Sequence, residues 1–271
     1  MYQAAFFRDV VVTTGRNINL QWYLTRPDNI VIQDVRMTTA DNWAQNDMFG
    51  INAGFFGNFR GYPHNTLTAS FHIMDGLDVT PGGWFNRERD DDPVGTAMSS
   101  MVYYFGVVYM GGRSHVNPRI DPPFGDAPYI DEYGQFWRSQ ITWALGGFDL
   151  LLDQQFGGSD DFMAGWRMRY PTAALDREDR QVDNQRQRTA IGYNSSGDTI
   201  GLLVFSSGLS FYETHMIMSA MGFDMGLMLD GGGSTQVSFM QGGAPSHVIV
   251  DRGRNVPTGV FINNPNSILW Q

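Results

Sequence analysis

An aspartate followed by three glycines, within the segment from Met225 to Phe239 (MGLMLDGGGSTQVSF), is the part of the sequence best suited to chemistry. The uncharged run from Gly226 to Leu229 predicts a buried strand, so Asp230 stands at the end of a core element and faces open space. A second strand is predicted to begin at Thr235. The loop between these strands consists of Asp230, Gly231, Gly232, Gly233 and Ser234.

The glycines allow the backbone to approach a ligand closely and to adopt positive φ, which other residues adopt only at a cost. Successive N–H groups in such a turn can form a concave nest for an anion. Ser234 and Thr235 add hydroxyl groups, so the loop suits a substrate with a sugar-like centre and a phosphate. An isolated Asp-Gly-Gly-Gly is more often a flexible hairpin turn with a solvated aspartate. The buried strand predicted before Asp230 favours the functional interpretation here.

Other candidate ligand-binding residues lie outside this loop. Asn52 follows a predicted strand in the segment 48–57 (MFGINAGFFG), where Phe55 offers an apolar wall for a sugar. Arg188 opens the buried strand RTAIGY, and Arg254 lies in a loop between two strands. Ordinary structural interpretations stand beside these: a strand entering a turn over core aromatics for Asn52, and an edge-strand arginine with an exposed head for Arg188.

Composition limits the classes of function. A chain of 271 residues with 42% hydrophobic residues can bury a sizeable core in one domain. A net charge of -10 argues against binding to nucleic-acid backbones and to anionic membrane surfaces. Every basic residue is arginine, which excludes lysine nucleophiles and Schiff bases and leaves anion recognition to arginine or to backbone amides.

Cysteine is absent, which removes thiol catalysis, thiolate metal sites and disulfides. The first residues, MYQAAFFRDVVVTT, lack a basic region followed by an apolar core, so no signal peptide is predicted. No apolar run is long enough to span a bilayer, so membrane insertion is not expected. A trimmed secreted protein, a cytoplasmic protein and a virion-associated component share these features, and the oligomeric state is undetermined.

Short β-branched or alternating runs, separated by Gly, Asn, Pro and Asp, predict strands along most of the chain. A tight turn is predicted at Asp75-Gly76 and a Gly-Gly turn within 141–153. The charged segment 157–187 is predicted to be an irregular insertion that carries little core, and 118–133 a lid or insertion. The sequence thus predicts one α+β domain over residues 1–271, of mixed, mostly antiparallel β-sheet with few helices.

One helix is predicted with clear boundaries, over residues 211–221. Ser210 and Glu213 have the spacing of a capping box, and Gly222 supplies the C-terminal stop. Met216 and Ile217 fall on a face predicted to pack in the core. Because the helix leads directly into the strand before Asp230, it is expected to pack behind the DGGGS turn.

Taken together, INAGFF, RTAIGY, LMLDGGGST and a closing Arg-x-x-Pro-x-Gly strand resemble the phosphodiester glycosidase family, from about residue 48 to the end. The typical family forms are Asn-Gly-Gly-Phe-Phe, Arg-Thr-Ala-[Ile/Val]-Gly and Leu-[Asp/Asn]-Leu-Asp-Gly-Gly-Gly-Ser. This chain departs from them at Ala53, at Thr258 in the closing motif, and across 80–187, where no counterpart is found. These departures bear on substrate identity more than on chemistry.

The resemblance implies hydrolysis of the bond between an anomeric carbon and a phosphate oxygen. On this hypothesis Arg188, with Arg254 and the amides from Gly231 to Ser234, holds the phosphate. Asp230 stabilises oxocarbenium character or activates water, and Asn52 orients sugar hydroxyls. The hypothesis requires Asp230 and Arg188 to face one cavity. For a second carboxylate, the candidates are Asp75, Asp149 and Asp251.

Alternatives remain open at this point. No cofactor is required by the hypothesis, although Asp230 with another carboxylate could hold a divalent cation through oxygen ligands. The chain could instead be a non-catalytic carbohydrate-binding or structural surface protein on the same scaffold. A phosphodiesterase that cleaves the P–O bond rather than the C–O bond is the third possibility.

Overall fold

Two β-sheets packed face to face form the framework of the protein, with helices on their outer faces. The computed structural model describes residues 4–13, 16–54, 72–79, 99–111, 140–169, 184–250, 253–263 and 268–270. The helices are α1 (Ala40–Gln45), α2 (Ser159–Arg169) and α3 (Phe211–Ala220). The strands are β1 (Ala4–Thr13), β2 (Arg16–Thr25), β3 (Ile30–Thr38), β4 (Gly50–Asn52), β5 (His72–Met74), β6 (Leu77–Asp78), β7 (Ser99–Tyr104), β8 (Val107–Gly111), β9 (Ile141–Asp149), β10 (Arg186–Asn194), β11 (Thr199–Leu209), β12 (Met225–Met228), β13 (Gln236–Gln241), β14 (Ala244–Ile249), β15 (Val256–Ile262) and β16 (Ile268–Trp270).

The larger sheet has the strand order β16-β1-β2-β11-β10-β12-β9-β5-β6, and the β7–β8 hairpin joins it through β9. The smaller sheet has the order β14-β13-β4-β15-β3. Among the described strands, β1 and β16 pair in parallel and the other pairs are antiparallel. The predicted α+β fold of mostly antiparallel sheet is therefore confirmed.

The main core fills the space between the two sheets. Apolar residues from the larger sheet, among them Ile191 and Leu227, meet Ile51 and Val260 of the smaller one. The opposite face of the larger sheet is covered by α2 and α3. On the outer face of the smaller sheet, Trp43 of α1 packs against Phe261. The order of layers is thus helices, sheet, sheet and helix.

Local sequence signals explain the best-predicted elements. The β10–β11 hairpin turns where the Asn194 side chain accepts hydrogen bonds from the Ser196 hydroxyl and the Gly197 amide, a typical asparagine turn. Helix α3 begins with the predicted capping box: the Glu213 amide donates to the Ser210 hydroxyl, and the Ser210 amide donates to the Glu213 carboxylate. The predicted turn at Asp75-Gly76 also lies between β5 and β6.

Three predictions were wrong where packing decides the structure. No turn forms at Gly146-Gly147, since β9 runs straight through both residues. A Cβ at Gly147 would lie 2.5 Å from the Met228 carbonyl oxygen, so the glycine permits close approach of the end of β12. The start of the segment 157–187 is helix α2, not irregular chain. This helix buries Phe162 and Trp166.

The third error concerns the face of α3. Met216 is exposed, while Phe211, His215 and Ile217 are buried against the larger sheet. Helix α1 was not predicted at all. Residues 170–183 of the predicted insertion and the segment 118–133 lie outside the described residues, and the insertion ends in the first residues of β10. None of the described helices is long and apolar enough to cross a membrane.

Candidate active site

The aspartate loop links the two sheets at one end of the core. As β12 ends, the Leu229 amide donates to the carbonyl of Thr189 in β10 of the larger sheet. The next amide, that of Asp230, donates at 3.3 Å to the carbonyl of Ala53, just beyond β4 of the smaller sheet. Asp230 is therefore positioned by backbone contacts to both sheets, in agreement with its predicted place at the end of a buried strand.

The Asp230 carboxylate lies in a poorly solvated environment. Its Oδ2 atom is buried and accepts no hydrogen bond in the described part of the chain. Burial raises the pKa of Asp230 to about 6, against smaller lowering effects of the Ser234 hydroxyl, the positive charge of Arg254 and the Gly231 amide. The Ser234 hydroxyl is near enough to act on this pKa but lies outside normal hydrogen-bonding geometry. Asp230 thus titrates close to neutral pH, which suits a catalytic acid or base.

The three glycines have different structural roles. A Cβ at Gly231 would lie 2.7 Å from the carbonyl oxygen of Gln187, so only glycine allows this approach to β10. Gly232 has a φ of 59° and begins a short 3-10 turn closed by the Ser234 and Thr235 amides. A Cβ at Gly232 or Gly233 would meet nothing within 4 Å, so the backbone here borders open space.

The side chain of Asn52 is hydrogen-bonded to the aspartate loop. The residue is fully buried, and its Nδ2 donates to the Asp230 carbonyl at 2.7 Å. Its Oδ1 accepts from the Thr189 hydroxyl at 2.8 Å and from the Gln236 amide at 3.1 Å. These contacts commit both ends of the side-chain amide to the protein and help to position the Asp230 loop, so the placement of Asn52 does not support the predicted role in orienting sugar hydroxyls.

The Arg188 guanidinium is directed toward α3. Its Nε donates to the Leu209 carbonyl at 2.8 Å, its Nη2 donates to the Asn184 carbonyl at 2.6 Å, and its Cζ lies 4.7 Å from the centre of the Phe211 ring. Burial, with the neighbouring Arg186, lowers the pKa of Arg188 to about 9. Thr189, the next residue along β10, points instead to Asn52 and the core between the sheets. The placement of Arg188 therefore supports neither the predicted phosphate contact nor the expectation that Arg188 and Asp230 face one cavity.

Arg254, the second arginine of the hypothesis, lies beside the glycine turn. The Arg254 amide donates to the Gly233 carbonyl at 2.8 Å, and the side chain is exposed. The positive charge of this side chain lowers the pKa of Asp230. The Gln236 side chain fixes this arrangement, because its Nε2 donates to the Arg254 carbonyl at 2.9 Å. The structure thus brings together Asp230, the glycine turn, Ser234, Thr235 and Arg254.

The other predicted residues do not join this group. Phe55 and Asp251 lie outside the described residues. Asp75 is exposed in a hairpin turn, and Asp149 is buried and accepts a hydrogen bond from the Leu151 amide. Within the described ranges, no group of three or more His, Asp or Glu side chains could hold a metal ion.

Sequence reasoning missed three residues at the site. Thr189 and Gln236 hold Asn52 and the loop, and Thr258 lies beside Ala53, whose amide donates to the Thr258 carbonyl at 3.0 Å. Thr189 lies within the RTAIGY segment, but the segment does not show that this side chain faces the site. Its place one residue after Arg188 on a strand could have suggested opposite directions for the two side chains.

A substitution at Arg188 separates a structural role from phosphate binding. We expect Arg188→Met to lower the free energy of unfolding by about 1–3 kcal/mol, because two backbone carbonyls lose a charged donor. The KM for a phosphodiester substrate should change less than about threefold, since the guanidinium faces α3. Urea denaturation and steady-state kinetics measure both, with the exposed neighbour in Arg186→Met as control. A large rise in KM at unchanged stability would restore the phosphate-binding role.

Comparison with known proteins defines first the fold and then the family. The structure is similar to the catalytic domain of zebrafish N-acetylglucosamine-1-phosphodiester alpha-N-acetylglucosaminidase, described as auto-inhibited by its pro-peptide, with a TM-score of 0.61 and 13% identity, over 97% of this chain and 83% of that one. It is also similar to a hypothetical protein from Synechocystis, with a TM-score of 0.50 and 13% identity, over 96% of this chain and 62% of that one. At these identities the matches establish a shared fold.

The family follows from the sequence match. Residues 8–263 match the model of the phosphodiester glycosidase family, and the chain belongs to this family. No curated protein matches the chain. The resemblance seen in the aspartate-glycine and RTAIGY segments is thereby confirmed over most of the sequence.

Proposed function

We propose that the protein is a hydrolase that cleaves the bond between a sugar anomeric carbon and a phosphate oxygen in a glycosyl-1-phosphodiester. The proposed substrate class is a phosphodiester of α-linked N-acetylglucosamine 1-phosphate, as found in surface polysaccharides or polymers of the teichoic-acid type. Family membership supports the reaction type. The observation that carries the proposal is the Asp230 carboxylate, buried beside an open glycine turn and within the influence of Arg254.

In the proposed reaction, the bond between C1 and the bridging oxygen breaks, and that oxygen leaves with its electron pair on the phosphate. The oxygen of a water molecule bonds to C1, and one water proton passes through Asp230 to solvent. A phosphate monoester is a good leaving group, so stabilisation of charge carries more of the barrier than protonation of the leaving oxygen. Ionised Asp230 either stabilises the oxocarbenium-like transition state or activates the water.

The phosphate is expected to bind on the open side of the loop. Arg254 is exposed there, and the amides of Gly232 and Gly233 have no acceptor within the described part of the chain. An arginine and two backbone amides suit a singly charged phosphodiester without the cost of burying an unpaired charge. Arg188 is not needed in this arrangement.

Release of free sugar from an α-N-acetylglucosaminyl-1-phosphodiester tests the proposal directly. The second candidate, a carbohydrate-binding or structural surface protein, is favoured by the many aromatic residues in this acidic chain, 14% of the total. Such a protein would be retained on the phosphopolysaccharide and release no sugar. Release with turnover supports the hydrolase, and retention without release supports the binding protein.

The pH dependence provides an independent prediction. If Asp230 acts as a carboxylate with a pKa of about 6, kcat/KM should rise about tenfold per pH unit below that value and reach a plateau above it. Since Arg254 lowers the pKa of Asp230, Arg254→Gln should move the midpoint to higher pH. A pH–rate profile at constant ionic strength measures both. Activity that falls as the pH rises through 6 would show that protonated Asp230 is the active form.

A further inference from the structure

Two buried threonines flank Ala53 on the inner face of the smaller sheet. Thr258 of β15 is its neighbour on one side, since the Ala53 amide donates to the Thr258 carbonyl. On the other side, extending the pairing of β13 with β4 by two residues places Thr235 opposite Ala53. Side chains opposite each other in antiparallel strands share a face. The next row on this face is apolar and consists of Val237, Ile51 and Val260.

The hydroxyls of both threonines lack partners in the part of the chain that the structure describes. Thr235 is 0% exposed and Thr258 is 1% exposed, yet neither hydroxyl forms a hydrogen bond within the described residues. The Ser234 hydroxyl and the Oδ2 atom of Asp230 are likewise buried and form no hydrogen bond within the described residues. Buried polar groups in folded proteins are nearly always hydrogen-bonded, so this cluster of polar groups at one site points to a partner beyond the described residues.

The surroundings of Asp230 differ on its two sides. The Asp230 amide donates to the carbonyl of Ala53, the central member of the row, whose two threonine neighbours are buried and uncharged. The glycine turn continues from Asp230 to Gly233, whose carbonyl accepts from the amide of exposed Arg254. One side therefore offers neutral hydroxyls and the other offers a positive charge near solvent.

We propose that the row Thr235–Ala53–Thr258 forms the sugar subsite, and that the outer side of the glycine turn with Arg254 forms the phosphate subsite. A threonine hydroxyl both donates and accepts hydrogen bonds, as a sugar hydroxyl does. An anion in the neutral, buried row would lose hydration without a compensating charge, whereas Arg254 supplies one. The inference rests on the proposed function and adds the orientation of the substrate, with C1 over Asp230 and the sugar on the side of the threonine row.

Binding of the two halves of the substrate tests this orientation. The probes are N-acetylglucosamine and inorganic phosphate, titrated calorimetrically against the wild type, Thr258→Val and Arg254→Gln. Thr258→Val should weaken sugar binding about tenfold and leave phosphate binding within about twofold. Arg254→Gln should show the opposite pattern. Because the buried Thr258 hydroxyl has no partner among the described residues, Thr258→Val should keep or raise the melting temperature.

Thr214→Val is the matched control, because Thr214 is equally buried but its hydroxyl donates to the Ser210 carbonyl at 2.8 Å, in α3. This variant should lower the melting temperature and leave both affinities unchanged. The orientation is overturned if Thr258→Val weakens both ligands equally or phosphate alone, or if it lowers the melting temperature without affecting the sugar, as loss of a structural water would.

Turnover distinguishes failure of the orientation from failure of the proposed function. A wild type that hydrolyses the phosphodiester without the split in affinities keeps the function and overturns the orientation. A wild type that shows the split without hydrolysis keeps the two subsites and overturns the function. Binding of neither probe to the wild type overturns the orientation, and absence of hydrolysis as well overturns both.

Discussion

Replacement of Asp230 by asparagine should reduce turnover by about 10³-fold or more while the protein folds normally. The reason is that Asp230 is the carboxylate that the fold holds at the junction of the two sheets, beside the glycine turn and Arg254. Asparagine keeps the size of the side chain but cannot carry the negative charge or accept a proton from water. Initial rates of sugar release and circular dichroism measure the two parts of this prediction.

The same substitution has a predicted effect on stability, with a definite sign. The pKa of Asp230 is raised from 3.8 to about 6 in the folded protein. The contribution of neutral Asp230 to the free energy of unfolding is therefore fully present below about pH 4 and is lost as the pH rises through 6. Asp230→Asn should therefore be more stable than the wild type at pH 7, by up to about 3 kcal/mol. This advantage should vanish below about pH 4 in urea denaturation.

Asp160→Asn is the control for both measurements, because Asp160 is exposed in the first turn of α2, on the outer face of the larger sheet. It should leave both activity and stability unchanged. Near wild-type turnover in Asp230→Asn would show that another group performs the chemistry. A loss of stability at pH 7 would show that the charged carboxylate has a partner that stabilises the fold.

Alanine substitutions at two glycines of the loop should differ in their effect on stability: Gly231→Ala should destabilise the protein, and Gly233→Ala should not. In Gly231→Ala, the new methyl group would clash with the Gln187 carbonyl oxygen, 2.7 Å away, and both atoms are held by the backbone. The loop must shift, and a displacement of about 1 Å at a catalytic group can cost about 10²-fold in rate. We expect a loss of activity of at least that size and a loss of stability of about 1–3 kcal/mol.

Gly233→Ala is the matched variant, because a Cβ there meets nothing within 4 Å. Its free energy of unfolding should stay within about 1 kcal/mol of the wild type. If the phosphate binds over this turn, the methyl group should raise the KM and leave the melting temperature unchanged. An unchanged KM would place the phosphate elsewhere, and full activity of Gly231→Ala would show that the loop need not be held against β10.

Local signals in the sequence were sufficient for much of the fold. The capping box at Ser210 and Glu213 and the turn at Asp75-Gly76 involve residues close in sequence, so their chemistry determines the local backbone. The uncharged run before Asp230 likewise predicted a buried strand with the carboxylate at its end. This part of the site could be found because it needs only one segment of chain.

Features that depend on packing between distant segments were not accessible in this way. Gly147 was mistaken for a turn residue because the nearness of Met228 appears only when β9 and β12 pair. The charged residues of α2 concealed Phe162 and Trp166, which are buried against the larger sheet. Composition alone therefore suggested a segment that carries little core.

At the site itself, the directions of the side chains could not be predicted from the sequence. Arg188 and Asn52 have the right residue types for phosphate and sugar, and both lie within segments typical of the family. In the structure, Arg188 donates hydrogen bonds to carbonyls near α3, and Asn52 donates to the carbonyl of Asp230. Thr258 was noted only as a departure from the family pattern, although its buried hydroxyl is among the polar atoms that have no partner within the described ranges.

The most direct test of the account is the position of labelled oxygen after hydrolysis of an α-N-acetylglucosaminyl-1-phosphodiester in ¹⁸O-water. Attack of water at C1 beside Asp230 predicts that the label appears in the released sugar and that the phosphate monoester contains none. The sugar must be analysed promptly, because its anomeric oxygen exchanges slowly with solvent. Label in the phosphate would show P–O cleavage and contradict the mechanism, and absence of any cleavage would contradict the assignment as a hydrolase.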